Sequence, residues 1–375
     1  MNEFILNLLN TIQKHSNTSG YLFIVYKTSS YIILKVRLLL NYYILRFTSV
    51  YHFFQMISCS RKIQRYPIHN LKHFVLPRLL SSSSPDQNPH ILVSKNAGVT
   101  TLTMNRPKQL NGWTEEMMKD LQMHFATLRN DPDTKVAVLT GTGTYYCAGV
   151  NLSGTFKPQH PAKLHSMIQT QNQMLFDLFL DWPKPIIAAI NGPAIGASVT
   201  SATLCDAIVA SETATFSTPF ARLGVPPEGC SSVNFERFMG SDNATRMMGK
   251  EAWVPSAAEA VEIGLVTKVV SEDKLQEAAQ QLGEEWIADG KQRSLPHNGD
   301  ARLIEEFKLV NQEESALLAD AFTSEKFLEG QRAFLSSKGK TIPAMVFTFA
   351  KLTRPLWSQL LPPPHIVSSK QKKKD

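Results

Sequence analysis

Hydrophobic positions between residues 90 and 290 alternate between short continuous runs and helical spacing. The continuous runs are bounded by glycine or polar turns, as buried strands are. They predict strands at 90–94, 99–104, 136–140, 186–190, 207–210 and 266–270. Helical spacing and capping signals predict helices at about 114–130, 197–204, 256–264 and 272–288. Strand–turn–helix units that repeat in this way predict one α/β domain with parallel strand pairing.

Beyond about residue 300 the hydrophobic pattern is helical only. Leu303, Phe307 and Val310 recur at helical spacing and form one apolar set. We therefore predict a folded domain over 86–338 that ends in a helical region. Residues 339–375 contain a run of three prolines and end in three lysines and an aspartate, so we expect an exposed, partly disordered basic tail.

The positive charge of the chain is concentrated in its leader. The net charge is +7, but residues 1–85 hold ten Lys/Arg against one acidic residue, which leaves the rest at −2. The basic balance therefore gives no reason to expect a nucleic-acid partner. Residues 56–85 are basic, rich in serine and free of acidic side chains, which is the composition of a mitochondrial transit peptide. Met56 is an alternative start, so the place of the 1–55 extension in the protein stays open.

The leader does not predict stable membrane insertion. Lys27, Lys35 and Arg37 interrupt its apolar runs before they reach the roughly 20 residues that a bilayer helix needs. We expect the mitochondrial matrix as the compartment, with the peroxisome as the alternative, although the C-terminal residues are not a Ser-Lys-Leu-type address. The four cysteines lack metal-ligand spacing, which fits a reducing compartment.

Three segments carry candidate chemistry. Glu228 lies between Pro227 and Gly229, where a carboxylate has little packing role. Upstream, the glycine turns at 147–152 and 191–198 follow apolar segments, and glycine lets backbone N–H groups approach a ligand closely. One acid and two N–H donors are sufficient to move a proton beside a thioester carbonyl. Ordinary strand–helix turns would have the same spacing, so the spacing alone leaves both readings open.

Four segments occur together in one order along the body of the chain. They are Asn-Arg-Pro-Lys-Gln-Leu-Asn at 105–111, Tyr-Cys-Ala-Gly-Val-Asn-Leu at 146–152, Pro-Lys-Pro-Ile-Ile-Ala-Ala-Ile-Asn-Gly-Pro-Ala-Ile-Gly at 183–196 and Ala-Thr-Phe-Ser-Thr-Pro-Phe at 214–220. Over about 90–338 the chain resembles the enoyl-CoA hydratase/isomerase (crotonase) superfamily. Within it, Gly-Val-Pro-Pro-Glu-Gly-Cys-Ser-Ser at 224–232 is most similar to the Δ3,Δ2-enoyl-CoA isomerases.

The resemblance implies a crotonase-type repeated ββα spiral core and homotrimers or hexamers. It also implies a coenzyme A thioester substrate, without a metal or redox cofactor. By motif, the backbone N–H groups of Val150 and Ala197 form the oxyanion hole and Glu228 is the catalytic residue. The implied substrate- and CoA-binding residues are Lys108, Ala148, Gly149, Asn151, Leu152 and Gly196. For Lys108, a solvated loop position is an equally open interpretation.

The number of carboxylates separates the reactions of the family. The two positions at which its hydratases carry glutamates correspond here to Thr200 and Phe220, neither of which can act as an acid or a base. Moving a proton from C2 to C4 needs one carboxylate only, so Glu228 alone favours isomerisation of a 3-enoyl-CoA to the 2-trans product, a step of fatty-acid β-oxidation.

Two alternatives stay open. One is another acyl-CoA enzyme of the same fold, a hydratase or a thioesterase, against which the residues at 200 and 220 speak. The other is a catalytically weak or inactive acyl-CoA-binding or interaction module. Val150-Asn151 favours it, because the family usually has a small or polar residue followed by Asp there. Cys147 and Cys230 flank the proposed site without a histidine placed to activate them, so we expect them to pack rather than react.

Overall fold

The computed structural model describes residues 89–151, 160–295 and 301–365. The leader segments 1–55 and 56–85, the candidate residue Leu152 and the last ten residues of the tail lie outside these ranges.

Eight strands and ten α-helices make up the described part of the chain. The strands are β1 Ile91–Asn96, β2 Val99–Met104, β3 Val136–Gly141, β4 Ile186–Ile190, β5 Ala194–Ile195, β6 Ala207–Ser211, β7 Phe216–Ser217 and β8 Lys268–Val270. The helices are α1 Glu115–Arg129, α2 Pro161–Leu180, α3 Ala197–Ala202, α4 Phe220–Leu223, α5 Ser231–Met248, α6 Ala257–Glu262, α7 Leu275–Ala288, α8 Ala301–Phe322, α9 Glu325–Ser337 and α10 Thr341–Trp357.

Six strands form the main sheet in the order β1-β2-β3-β4-β6-β8. The hairpin of β1 and β2 is antiparallel, and every later pair is parallel. The two short strands β5 and β7 pair in parallel beside it. The sequence-based prediction of an α/β domain with parallel pairing and a helical C-terminal region is therefore confirmed.

Local sequence signals account for the starts of two helices. The Thr114 side chain accepts a hydrogen bond from the N–H of Met117 and caps α1, as predicted. Ser256 and Glu259 form the reciprocal hydrogen bonds of a capping box at the start of α6, also as predicted. Such caps satisfy N–H groups that have no partner inside the helix.

The parallel strands bring the two glycine turns together. The turn after β3 and the turn after β4 leave the same edge of the sheet, because parallel strands end on one side. Asn191 of the second turn also holds the segment that leads from β3 to the first turn: its Oδ1 accepts a hydrogen bond from the N–H of Gly141 at 3.1 Å, and its Nδ2 donates to the carbonyl of Gly143 at 2.8 Å.

Both faces of the main sheet are covered. Helix α7 packs on β2, β3, β4 and β6 and encloses a small aliphatic cluster. The opposite face belongs to the main core, where Trp113, Phe176 and Phe235 are fully buried. Helix α8 lies along α2, and this pair closes the side of the molecule on which the glycine turns end.

The sequence analysis expects a partly disordered tail and predicts no helix at 341–357, where the structure has one. These residues form α10, which packs against α9 and buries Ala344 and Phe347. Pro343 stands in the first turn, where a missing N–H is tolerated, and Pro355 lies inside the helix near its end, where it removes one backbone hydrogen bond. The opposite face of α10 is apolar and exposed at Ile342, Met345, Val346, Phe349, Leu352 and Leu356. None of the described helices combines the length and apolar character needed to span a bilayer.

Candidate active site

A cavity of about 150 Å³ lies where the glycine turns, the segment after α4 and the α2/α8 pair meet. It is bordered by Ala148, Gly149 and Val150 of the first turn, by Gly196 and Ala197 of the second, and by Glu228. The remaining wall is largely apolar and includes Ile168, Leu175, Phe220, Val225, Leu318, Phe322 and Phe327. The structure thus brings six of the nine predicted site residues to one cavity.

The first turn is held by hydrogen bonds on both sides of Val150. The backbone N–H of Trp113 donates to the carbonyl of Gly149 at 2.9 Å, and the backbone carbonyl of Trp113 accepts from the N–H of Asn151 at 2.8 Å. Within the described residues the N–H of Val150 has no acceptor, and Val150 borders the cavity. A ligand oxygen would supply one.

The second turn starts a helix at the cavity. Gly196 has a φ of +61° and donates its N–H to the carbonyl of Ser217 at 2.7 Å. Ala197 is the first residue of α3, so its N–H has no partner inside that helix and adds the positive end of the helix dipole. This N–H is the second donor that the sequence analysis expects.

The two turns are bonded directly to each other. The N–H of Ile195 donates to the carbonyl of Cys147 at 3.0 Å. The hydroxyl of Ser198 lies 3.0 Å from that same carbonyl and accepts a hydrogen bond from the N–H of Ile195 at 2.9 Å. A Cβ atom on Gly149, whose φ is +80°, would lie 2.7 Å from the carbonyl oxygen of Ile195. The relative position of the turns therefore depends on a glycine at 149.

Glu228 is the titratable side chain of this cavity. It lies half-buried between α4 and α5, and its Oε2 accepts a hydrogen bond from Nδ2 of Asn172 at 2.6 Å. The Asn172 amide is oriented in turn by Ser315, whose hydroxyl lies 2.8 Å from its Oδ1. Burial raises the pKa of Glu228 to about 7, the Asn172 bond opposes this rise, and the nearby carboxylate of Glu314 adds to it.

The positions that would carry the hydratase pair hold no acid. Thr200 is fully buried on α3 and its hydroxyl donates to the carbonyl of Ala197 at 3.2 Å. Phe220 borders the cavity with an aromatic ring. Among the cavity-lining residues that the structure describes, Glu228 alone titrates.

Two predicted binding residues are not part of the cavity lining. Lys108 is exposed on the short 3-10 turn at 107–109. Asn151 is exposed as well, and its N–H is used in the bond to Trp113. Leu152, the last of the predicted set, lies outside the described residues.

Both cysteines that flank the site have a structural environment. Cys147 is fully buried, and burial raises the pKa of its thiol to about 12. The Cys230 thiol donates to the carbonyl of Phe307, and burial together with Glu314 raises its pKa well above the ordinary value. At neutral pH both are thiols rather than nucleophilic thiolates.

Comparison with known sequences agrees with these features. The sequence model of the family described as enoyl-CoA hydratase/isomerase matches residues 94–341. The chain belongs to this family. The matched residues include all of the main sheet except the first half of β1, together with both glycine turns, Glu228 and the α2/α8 pair.

The relatives of this chain include proteins named as isomerases and proteins named for a chromodomain. The chain is 35% identical over 264 residues to enoyl-CoA delta isomerase 2 of Rattus norvegicus, which covers 67% of this chain and 64% of the rat protein. It is 28% identical over 259 residues to chromodomain Y-like protein 2 of Mus musculus, covering 66% of this chain and 50% of that protein.

The fold has close counterparts among solved structures. An enoyl-CoA hydratase/isomerase from Pseudoalteromonas atlantica T6c superposes with a TM-score of 0.56 at 25% identity, and the match covers 66% of this chain and 98% of that one. The crotonase-type fold expected from the motifs is thereby confirmed.

Proposed function

We propose that this protein is a Δ3,Δ2-enoyl-CoA isomerase that moves a 3-cis or 3-trans double bond of an enoyl-CoA to the 2-trans position. The observation that carries the proposal is the pairing of one titratable carboxylate, Glu228, with free N–H groups in a largely apolar cavity. Isomerisation needs one group that removes a proton and returns it, whereas hydration needs an additional acid–base group for water.

The reaction is a proton transfer through a dienolate. The Glu228 carboxylate removes a proton from C2, and the C–H bonding electrons shift towards the thioester carbonyl, whose oxygen becomes negative. The N–H groups of Val150 and Ala197 bind this oxygen, and each such donor is worth about 3–4 kcal/mol in comparable oxyanion holes. The Glu228 carboxylic acid then gives the proton to C4, and the double bond forms between C2 and C3.

The environment of Glu228 suits both halves of this cycle. A base that must become an acid in the same turnover works best when its pKa lies near the working pH. Burial holds the pKa of Glu228 at about 7. The Asn172 amide keeps Oε2 in one place, so Oε1 is the oxygen that we assign to the proton transfer.

The pH dependence of turnover follows from this value. Glu228 must be ionised in the free enzyme, so kcat/KM for a 3-enoyl-CoA is expected to rise with pH and reach half of its plateau near pH 7. A steady-state profile from pH 5 to 9 measures the midpoint. A nearly flat profile over this range, as a glutamate with the ordinary pKa of about 4.3 would give, would contradict the assigned environment of Glu228.

The function is tested with two substrates and the full chain. A 3-enoyl-CoA is expected to give the conjugated 2-enoyl thioester, which is followed by its absorbance. A 2-enoyl-CoA in the same assay reports hydration as a loss of that absorbance, and none is expected. If hydration or thioester cleavage were the faster reaction, the protein would be another acyl-CoA enzyme and not an isomerase.

An acyl-CoA-binding or interaction module is the second candidate. Val150-Asn151 departs from the family pattern, and relatives of the chain include a chromodomain protein. The intact carboxylate and the cavity around it favour the enzyme. Binding of an acyl-CoA without turnover of any enoyl-CoA would support the module instead.

We also propose that the protein forms homotrimers or hexamers, with α10 in the interface. Six large apolar side chains of its outer face are 52–79% exposed in the single chain. Contiguous apolar surface of this kind is typical of protein–protein interfaces. The mitochondrial matrix remains our prediction for the compartment, on the composition of residues 56–85.

Charges on α10 are expected to disrupt this assembly. Phe349→Glu combined with Leu352→Glu places two carboxylates on the outer face, where burial against another copy would be costly. Light scattering after gel filtration should give three or six protomer masses for the unmutated chain and a lower mass for the variant. Leu309→Glu, at an equally exposed apolar residue on α8, is the matched control and should leave the mass unchanged. A monomeric unmutated chain would refute the proposal.

A further inference from the structure

A second buried carboxylate, Glu314 on α8, contacts the backbone of the residues that follow Glu228. It is 4% exposed. Its Oε2 accepts a hydrogen bond from the N–H of Cys230 at 2.6 Å, and its Oε1 accepts one from the N–H of Ser232 at 2.9 Å. These N–H groups stand at the start of α5, two and four residues after Glu228.

We propose that Glu314 is a positioning residue for Glu228, which fixes the backbone that follows Glu228 and uses its negative charge to favour the protonated form of that carboxyl. The catalytic consequence rests on the isomerase function proposed above. The arrangement itself is a property of the folded chain and can be tested without turnover.

The backbone after Glu228 needs such an anchor. Cys230 has a φ of +65°, which is unfavourable for a residue with a side chain. Gly229 has a φ of +66°, and a Cβ atom there would lie 2.4 Å from the ring of Phe176. The two bonds from Glu314 hold this strained segment against α8 and satisfy N–H groups at a helix start.

Consecutive residues of α8 therefore hold Glu228 in two ways. Glu314 binds the backbone after it, and Ser315 orients the Asn172 amide that binds its side chain. Helix α8 lies along α2, so one helix pair sets both the position and the hydrogen bonding of the carboxylate.

The charge of Glu314 acts on Glu228 in a definite direction. Two carboxylates in one buried region resist being ionised together, which raises the pKa of the second to ionise. Backbone N–H groups and the start of α5 favour ionised Glu314, although burial raises its pKa to about 7. We therefore assign the first ionisation to Glu314, and its charge raises the pKa of Glu228.

The other titratable groups around this pair do not reverse the effect. On α8, Glu313 adds negative charge that raises the pKa of Glu314. From α2, Asp177 faces the Cys230 thiol, which lies next to α5 and stays protonated at neutral pH. In the described region, no cation is found among the groups that shift the pKa of Glu228 or Glu314.

Carboxyl carbon NMR of the full chain labelled at glutamate tests the proposal. Removing the charge with Glu314→Gln is expected to lower the titration midpoint of Glu228 by about half a pH unit or more. Glu305→Gln makes the same chemical change on an exposed part of α8 and should leave that midpoint unchanged. An unchanged Glu228 midpoint in folded Glu314→Gln would overturn the proposal.

A reciprocal variant covers the case in which Glu314→Gln does not fold. Glu314 ionises first, while Glu228 is still uncharged, so the unmutated chain should show the Glu314 midpoint below that of Glu228, and Glu228→Gln should leave the Glu314 midpoint nearly unchanged. A Glu314 midpoint above that of Glu228, or one that falls in Glu228→Gln, would overturn the proposal. Because neither titration uses a substrate, failure of the isomerase assay and failure of this proposal are distinguishable.

Turnover gives the catalytic readout. In Glu314→Gln the rising limb of the pH–rate profile is expected to move to lower pH, since Glu228 ionises more readily. In Glu314→Asp the charge is retained but the shorter side chain does not reach both N–H groups, so kcat should fall while the limb stays in place. A purely structural role would instead lower kcat in both variants without moving the limb.

Discussion

Glu228→Gln is expected to lower kcat for 3-enoyl-CoA isomerisation by about 10³-fold or more, because general acid–base groups commonly contribute 10²–10⁴-fold and here one group serves both steps. Glutamine has nearly the same shape, and its carbonyl oxygen can still accept the hydrogen bond from Asn172. Substrate affinity should therefore change little, so the loss should appear in kcat. Single-turnover absorbance measurements with a 3-enoyl-CoA, together with direct binding of an acyl-CoA, separate these quantities.

The matched control is Glu236→Gln, an exposed glutamate on the neighbouring helix α5. It makes the same chemical change outside the cavity and should retain full activity. If Glu228→Gln kept more than about a tenth of the activity, the single-carboxylate mechanism would be wrong, since proton transfer should not survive without its base.

Glu228→Gln is expected to lower activity but not the stability of the fold. The pKa of Glu228 is raised to about 7 in the folded state, so folding disfavours its ionised form. The penalty is absent below the unfolded-state pKa and fully present above the folded-state pKa. At pH 8 the free energy of unfolding of Glu228→Gln should thus equal or exceed that of the unmutated chain. This would identify Glu228 as a residue kept for chemistry at the expense of stability.

Sequence patterns predict the six strands of the main sheet and the glycine turns because local rules determine them, whereas the two-residue strands β5 and β7 are too short to give a pattern. Buried parallel strands are short aliphatic runs, and turns that need positive φ use glycine, as at Gly149 and Gly196. The single acid at Glu228 was also visible, since Pro227 and Gly229 exclude it from a regular helix or strand.

The partners of Glu228 were not predicted, because they come from distant parts of the chain. Helix α2 was missed altogether: its buried face includes His165 and Asn172, which interrupt the apolar spacing that predicts a helix. These polar residues are satisfied by Asp320, and by Glu228 and Ser315, which are 56 to 155 residues away in sequence. Only the packing of α8 on α2 reveals that their burial is compensated.

Gly149→Ala is expected to damage the oxyanion hole and the stability of the fold together. Its φ of +80° costs a residue with a side chain about 1–2 kcal/mol. The added Cβ would lie 2.7 Å from the backbone carbonyl of Ile195, which cannot rotate away as a side chain would. The contact should push the turns apart and misplace the N–H of Val150, so kcat should fall by about 10²-fold, the effect of losing one oxyanion donor.

Gly290→Ala is the control that separates the cost of a positive φ from the cost of pushing a neighbouring backbone away. Gly290 also has positive φ, +65°, but nothing lies within 4 Å of an added Cβ. Denaturant unfolding should show a loss of about 1–2 kcal/mol for this control and about 2–4 kcal/mol for Gly149→Ala. Turnover should be unchanged in Gly290→Ala. If Gly149→Ala lost stability but kept its kcat, the N–H of Val150 would not be an oxyanion donor. Catalysis would then rest on Ala197 and Glu228, which share the cavity but belong to other segments of the chain.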